Sequence, residues 1–519
     1  MTISASEAPP AADRGAGKDL RSRVAGAAQW RLLSAILHAG LQFGLGVVLA
    51  RLLPPADFGL AAMAAVVVAM ARLLLDLGLG SAIIQRKPLT ERHIRVAASL
   101  GVLLGALLAL TVMLSASSVG TLLRAERLPA VLRVESALFL FAGFGVTSRA
   151  LLQRELRFRQ VAIVELISYG AGYALVGLAL ALNGFGVWSL VAGALTESLL
   201  ANALAVAIVR HSWRPLAAAT EAAQLLRFGS VGALNGAVAQ VAFHGDNLVV
   251  GRVLGVSALG LYGRAFSLMI LPLGYVGGAL FSVLFPALAE LRDDRTRFAR
   301  AYLLSIELVT LVAGPVMAGM AVAAPYLIGV LYGPAWLGAA VPLQIFCAVG
   351  TFRVLALPAG AVTHAAGQIQ AELRRQVVYA VWTIVAAAVG AQWWGITGAA
   401  AGVATAILYK YVAVGTLSLR IGGVRWRQYL GAQAPGLAVA LFVGTIAAAV
   451  RWTCEVGRVS MLGTLLAIVG SCAVAMVAGT YLLPDRLRPR QLFHYLAHAA
   501  GDLPIPARLP IWWALRYHG

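Results

Sequence analysis

Long stretches of hydrophobic residues, separated by short polar or basic segments, run through almost the whole chain. A membrane-spanning helix takes about 20 apolar residues, and most of the stretches reach that length. We predict fourteen spans, at residues 30–52, 58–85, 96–115, 130–151, 160–182, 186–209, 228–250, 257–286, 301–323, 336–364, 376–393, 395–417, 433–450 and 460–483. This pattern predicts an all-α polytopic membrane protein with about 14 transmembrane helices.

The composition and the placement of charge support this prediction. Of the 519 residues, 60% are hydrophobic and 12% are charged, against about 25% charged in soluble proteins. The net charge of +20 is also typical of proteins that bind nucleic acid. Here, however, the arginines lie in short loops between apolar spans, as in the cytoplasmic loops of membrane proteins, so we expect no nucleic-acid partner.

The distribution of basic residues predicts the orientation of the chain. With the N-terminus in the cytoplasm, thirty of the 41 basic residues fall in cytoplasmic segments and seven in external loops. Because positive residues are retained on the cytoplasmic side, both termini are expected there. The remaining four basic residues lie within spans, where a charge is costly.

An internal repeat organises the helices. The segment VLARLLPPADFGL at 48–60 shares five of thirteen residues with VVGRVLGVSALGL at 249–261, and GVWSLVAG at 186–193 aligns with GITGAAAG at 395–402. Both halves begin on the cytoplasmic side, which predicts a parallel repeat. We therefore expect a disordered cytosolic tail (1–28), an N-lobe of helices 1–6 (29–212), a C-lobe of helices 7–12 (213–420), two extra helices (421–483) and a basic amphipathic cytosolic tail (484–519).

The second span carries the first pair of candidate site residues. Arg72 and Asp76 are four residues apart and therefore share one helix face. A charge near the bilayer centre costs at least about 2.5–3.5 kcal/mol, so such residues usually face a protein interior or a watery cavity. Arg72 is either a cation for an anionic substrate or the partner of Asp76. Asp76 is either an ion-coupling carboxylate or that partner.

A second ionisable cluster lies near the end of the seventh span. A buried Asp246 can bind a proton or sodium, and the nearby His244 can titrate near neutral pH. These two residues, with Arg252, are candidates for ion coupling or gating. The alternative is that Asp246 simply pairs with Arg252 at the membrane interface.

Three further cations in the second half are candidates for a substrate cavity: Arg264, Arg353 and Lys410. Alternatively, the side chains of Arg264 and Lys410 snorkel, so that their charged ends reach the lipid headgroups. Arg353 has no acidic residue nearby in sequence. Alternatively, it forms an ion pair with an acid on a neighbouring helix, such as Glu307. The buried acid Glu197 has no assigned role. The three cysteines have no metal or redox spacing, so no metal site is predicted.

Several motifs resemble the polysaccharide transporter branch, the Wzx-type O-antigen and exopolysaccharide flippases, of the multidrug/oligosaccharidyl-lipid/polysaccharide (MOP) exporter superfamily. The resemblance covers about residues 28–450. The motifs that carry it are LARLLPPADFGL (49–60), DLGLGSAIIQR (76–86), LLQRELRFRQVAIVE (151–165), NGFGVWSLVAG (183–193) and DNLVVGRVLGVSALGLYGRAFSLMILP (246–272).

The resemblance implies two six-helix lobes around a central cavity that opens alternately to either side of the bacterial cytoplasmic (inner) membrane. It implies movement of undecaprenyl-pyrophosphate-linked oligosaccharide from the inner to the outer leaflet, for O-antigen, capsule or exopolysaccharide. It also implies H⁺ or Na⁺ coupling without another cofactor. The expected partners are the lipid-linked oligosaccharide, membrane lipids, and the polymerase and glycosyltransferases of the same pathway.

Three other functions stay open at this point. A drug or metabolite exporter of the same superfamily would share both halves, but the arginines within spans favour an anionic cargo. A membrane polysaccharide polymerase or ligase would be expected to carry a sizeable external loop, and every predicted loop is short. A non-transporting scaffold is the third. The chain lacks the GxxxxGK[ST] pattern of an ATP site, and we expect that it is not an enzyme.

Overall fold

The computed structural model describes residues 36–76, 79–86, 88–212, 214–216, 218–290 and 294–482, and at some helical positions, including Asp76, the backbone alone. The helices are α1 (Ile36–Leu52), α2 (Pro55–Asp76), α3 (Leu79–Gln85), α4 (Glu91–Leu123), α5 (Leu128–Glu135), α6 (Ala137–Arg154), α7 (Phe158–Tyr169), α8 (Leu178–Leu182), α9 (Val187–Ile208), α10 (Ala219–Leu254), α11 (Val256–Glu290), α12 (Arg295–Leu331), α13 (Ala340–Ala365), α14 (Ile369–Gly422), α15 (Trp426–Val456) and α16 (Met461–Leu482). A π-helical segment, Gly170–Gly177, joins α7 to α8, and a 3₁₀ segment, Pro334–Ala339, precedes α13. The tails predicted at 1–28 and 484–519 lie outside the described residues.

The all-α membrane architecture is confirmed. Within the described ranges, eleven helical stretches are long and apolar enough to cross a membrane, and every predicted span overlaps one or more helices. Two predicted spans, 376–393 and 395–417, both lie in α14, whose backbone leaves helical geometry at Trp394 and Gly395. Because α1 is shorter than the other spanning helices, the count of fourteen stays a prediction.

The chain divides into two compact units, residues 1–237 and 238–519. In the first unit α6 packs against α4 and α9, and in the second α12 packs against α13 and α15, while α13 packs against α11 and α14. The division falls inside α10, later in the chain than the lobe boundary predicted at 212/213. The predicted domain boundaries and the predicted lobes around a central cavity stay predictions.

The backbone supports the internal repeat. Helices α2 and α11 begin at Pro55 and Val256, which are aligned positions of the repeat. The aligned glycines also share an unusual conformation, with φ 58° and ψ −130° at Gly186 and φ 60° and ψ −141° at Gly395. A side chain at such a positive φ is strained. Both halves therefore use glycine to begin a new helix after a tight reversal.

An arginine from α6 caps the short helix α3. The Nη1 atom of Arg154 donates to the carbonyl oxygens of Ile83, Ile84 (3.2 Å) and Arg86 (2.8 Å). The last carbonyls of a helix have no partner within the helix, and a cation is favourable at that end. Arg154 thus joins α3 to α6 in the first unit.

The Arg154→Ala variant is expected to lower the free energy of unfolding by about 2–3 kcal/mol, because it removes charge-assisted hydrogen bonds to carbonyls that are left unpaired. The thermal midpoint of the purified protein in detergent measures this effect. Arg157→Ala is the control, because Arg157 pairs only with the exposed Glu155 (3.2 Å) and is worth at most about 1 kcal/mol. Equal midpoints for the two variants would contradict the capping role.

Candidate functional site

The second unit contains a cavity of about 300 Å³. Residues from α10, α11, α13 and both halves of α14 line it, and the polar ones are Arg353, His364, Glu372, Tyr379 and Lys410. The remaining wall is apolar and includes Phe243, Ile270, Leu273 and Ile407. An apolar cavity with a few convergent polar groups is the usual form of a small ligand site.

Arg353 presents its guanidinium group to this cavity between two aromatic rings. Its Cζ atom lies 5.4 Å from the ring centre of Phe243 and 5.1 Å from that of Phe266. One Nη1 donates a long hydrogen bond, 3.4 Å, to the Tyr379 hydroxyl, and no ion pair within 4 Å is found for Arg353 among the described residues. A guanidinium has five N–H donors, so most of them are available to an anion.

Lys410 reaches the same cavity from the second half of α14. Its Nζ atom lies 4.9 Å from the centre of the Tyr379 ring, and Lys410 interacts electrostatically with Arg353 and Glu372. In the described part of the chain its amino group has neither a hydrogen bond nor an ion pair. Two cations that repel each other across one cavity favour a bound anion.

Three lining residues were not singled out by sequence analysis: His364, Glu372 and Tyr379. Glu372 accepts a hydrogen bond from the Thr363 hydroxyl, and its Oε2 lies 3.6 Å from the His364 Nε2 atom. In the sequence alone, Glu372 is one of several charged residues beside a loop, and two arginines follow it closely. The only usable signal was its place in the first turn of an apolar helix.

Asp246 is buried in the second unit and does not itself line this cavity. It is 2% exposed, and its Oδ2 accepts a 2.6 Å hydrogen bond from the buried Tyr262 hydroxyl. Arg353 interacts with it electrostatically. The structure thus pairs Asp246 with Tyr262, a residue that the sequence did not indicate, whereas Arg252 is exposed in the last turn of α10.

The other second-unit candidates are not brought into the cavity. His244 is half-buried, and its ring packs edge-on against Phe243 at 4.8 Å between centres. Arg264 lies over the rings of Tyr332 and Trp336, at 5.5 and 6.0 Å from their centres. Arg264 therefore packs beside the 3₁₀ segment that precedes α13, and its predicted role toward substrate stays a prediction.

Arg72 lies in the first unit and is half-buried on α2. It interacts electrostatically with Glu197 of α9, the acid to which the sequence assigned no role. The side chain of Asp76 lies outside the described part, so the predicted Arg72–Asp76 pair stays a prediction. Arg72 and the cavity cations Arg353 and Lys410 belong to different units.

The cavity in the second unit suits a small anionic group rather than a metal ion. It offers two cations, one carboxylate and a histidine around an apolar wall. No group of three or more His, Cys, Asp or Glu that could hold a metal is found in the described ranges. Its volume of about 300 Å³ is large enough to hold a phosphate group or one sugar residue.

Comparison with known proteins places the chain in a family. The family described as "Polysaccharide biosynthesis protein" matches residues 48–341. The chain is 25% identical over 414 residues to lipopolysaccharide biosynthesis protein WzxC of Escherichia coli (strain K12), covering 79% of this chain and 84% of that protein. It is 32% identical over 311 residues to succinoglycan biosynthesis transport protein ExoT of Rhizobium meliloti (strain 1021), covering 59% and 62%.

Among solved structures, the fold is similar to that of the lipid II flippase MurJ in an inward closed conformation. The TM-score is 0.69 at 12% identity, covering 86% of this chain and 98% of that one, so this likeness concerns the fold alone. The family match covers more than half of the chain and confirms the resemblance seen in its motifs. This chain is a member of the polysaccharide biosynthesis protein family.

Proposed function

We propose that this protein is a flippase that moves undecaprenyl-pyrophosphate-linked oligosaccharide from the inner to the outer leaflet of the bacterial cytoplasmic membrane. The observation that carries the proposal is the cavity shared by Arg353 and Lys410. Each cation has unused donors, and the two are brought together inside an apolar membrane bundle. Such an arrangement is costly without an anionic ligand, and a pyrophosphate carries the required charge.

The relatives support the same proposal. WzxC and ExoT are named for lipopolysaccharide biosynthesis and for succinoglycan transport, and MurJ is named as a flippase of lipid II. These names favour transport of a lipid-linked glycan over an enzymatic role or export of a drug. The partners of this protein would then be the lipid-linked oligosaccharide, membrane lipids, and the polymerase and glycosyltransferases of the same pathway.

Alternating access would move the cargo, driven by a gradient of H⁺ or Na⁺. Asp246 supports a gating role in the second unit, because it is the buried carboxylate that interacts with Arg353. An anion in the cavity would compete with Asp246 for the guanidinium, whereas in an empty cavity Arg353 keeps its electrostatic interaction with Asp246. In this scheme Tyr262 holds the carboxylate in place through its 2.6 Å hydrogen bond.

The sidedness of the lipid-linked glycan tests the proposal. Cells depleted of this protein are expected to accumulate undecaprenyl-linked oligosaccharide that a membrane-impermeant glycosidase cannot reach from outside, whereas cells with the protein expose it. The total amount of lipid-linked glycan, measured after lysis, is the control for its synthesis. If the glycan reaches the outside in depleted cells but stays short or unattached, the polymerase or ligase alternative is correct instead.

A further inference from the structure

The first unit contains a buried acid that none of the functional arguments above uses. Glu135 is the last residue of α5, and it is 5% exposed. With Leu128, Val131 and Leu132 it forms the buried face of this helix. Its neighbours on that face are aliphatic, so the carboxyl group sits in apolar surroundings.

Within the described part of the chain, the carboxyl group of Glu135 lacks the partners that a buried carboxylate needs. Its Oε2 is fully buried, with no hydrogen-bond partner among the described residues, and no basic side chain of that part pairs with it. An isolated charge of this kind is so unfavourable that the group takes up a proton instead. Its neighbour Arg133 does not neutralise it, because Arg133 donates to the Ser117 hydroxyl at 2.7 Å.

Among the residues that the structure describes, acidic side chains on the elements around α5, unlike Glu135, interact with a nearby cationic residue. From α2, Asp57 pairs with Arg127 at 3.8 Å. From α9, Glu197 interacts with Arg72. From the π-helical segment, Tyr173 interacts electrostatically with both Glu135 and Glu197. Glu197 therefore has a cation nearby, whereas among the described residues Glu135 is accompanied by the phenol of Tyr173 and by no cation that pairs with it.

Three rings in contact with one another extend from Tyr173 to α1. The ring of Tyr173 lies 4.8 Å from that of Tyr169, which in turn lies 5.0 Å from the ring of His38 on α1. The His38 Nδ1 atom is also buried, with no hydrogen-bond partner in the described ranges. Tyr173 belongs to a π-helical segment, and such segments are frequent at functional sites because the extra residue per turn redirects side chains.

We propose that Glu135 is a proton-binding site of the transporter, which binds and releases one proton during the transport cycle. On release, the O–H bond of the carboxyl group breaks and a water molecule that reaches the site takes the proton, so Glu135 becomes a carboxylate. On binding, the same O–H bond forms again. This inference rests on the proposed function only for its coupling to transport.

A proton fits this site better than a sodium ion does. Sodium needs several oxygen ligands, in common with other hard cations, and the buried face of α5 offers a single carboxyl group among aliphatic side chains. A proton needs only one oxygen.

Infrared difference spectroscopy on the full-length protein in lipid nanodiscs tests the site. The wild type at neutral pH is expected to show the C=O stretch of a buried carboxylic acid. This band should be absent in Glu135→Gln and retained in Glu126→Gln, where the residue is exposed. Because glutamine resembles the neutral acid, Glu135→Gln is expected to keep the thermal midpoint of the wild type.

Three outcomes would overturn the proposal: a wild type without such a band, a band that survives in Glu135→Gln, or a band that shifts when NaCl replaces KCl. The spectrum does not depend on transport, so a protein that fails the sidedness test can still show the proton site. Conversely, a flippase whose Glu135→Gln variant transports with an unchanged pH dependence would retain the proposed function and exclude the coupling role.

Discussion

Arg353→Ala is expected to reduce flipping of the lipid-linked oligosaccharide by about tenfold to a hundredfold. The guanidinium lies in the cavity beside Phe243 and Phe266, and its one hydrogen bond, to Tyr379, is long. Its remaining donors can make charge-assisted hydrogen bonds, each worth about 1.5–3 kcal/mol, and 1.4 kcal/mol corresponds to a factor of ten. The rate at which glycan becomes accessible to an impermeant glycosidase measures the loss.

Two further variants test this prediction. One separates the charge of the side chain at position 353 from its geometry, and the other is a control at an exposed arginine. Arg353→Lys keeps the positive charge but loses the planar fork, so it should lie between the wild type and Arg353→Ala. Arg374→Ala is the matched control, because Arg374 is exposed and does not line the cavity. If Arg353→Ala and Arg374→Ala flip the glycan at the same rate, the cavity in the second unit is not the anion site.

Gly390→Leu is expected to destabilise the protein by at least about 3 kcal/mol, the upper end of typical overpacking. The two halves of α14 meet at Gly390 and Gly398, where a Cβ atom on either glycine would collide with the carbonyl oxygen of the other. Both atoms belong to backbone, so no side chain can move aside. The yield of monodisperse protein on size exclusion and its thermal midpoint in detergent measure the effect.

Gly431→Leu provides the control for this prediction. Gly431 lies in α15, and a Cβ atom there meets nothing within 4 Å, so both variants add the same side chain to a helix. We expect near wild-type yield from Gly431→Leu. A similar yield from Gly390→Leu would mean that the two halves of α14 separate without cost, contrary to the observed contact.

The amino-acid pattern was sufficient to predict the helices, because crossing a bilayer imposes length and hydrophobicity on each span separately. The reversal near Trp393 and Trp394 and the alignment of Gly186 with Gly395 were readable for the same local reason. The resemblance to the family was likewise carried by contiguous motifs. The charged residues within spans were harder to interpret. The free-energy cost of burying a charge indicates that it needs a partner, but it does not indicate which residue that partner is.

The candidate site was predicted only in part. Arg353 and Lys410 stood out as charges within apolar spans, and the structure places both on one cavity. Tyr379 was not singled out, since a tyrosine in an apolar span looks like ordinary packing. Glu135 was also missed, because its burial depends on the packing of α5 against other helices, among them α2 and α9, which are distant in sequence.

By itself, the sequence determined the class of this protein: a helical membrane protein of the polysaccharide biosynthesis protein family, with an internal repeat. Hydrophobic length, glycine conformation and contiguous motifs are properties of short segments, so they can be recognised from the sequence alone. The tertiary structure alone decided which charges meet. It paired Asp246 with Tyr262 and set Arg353 against Lys410. It also left the Glu135 Oε2 atom without a hydrogen-bond partner among the described residues. Partners in a helical bundle are chosen by packing between segments far apart along the chain.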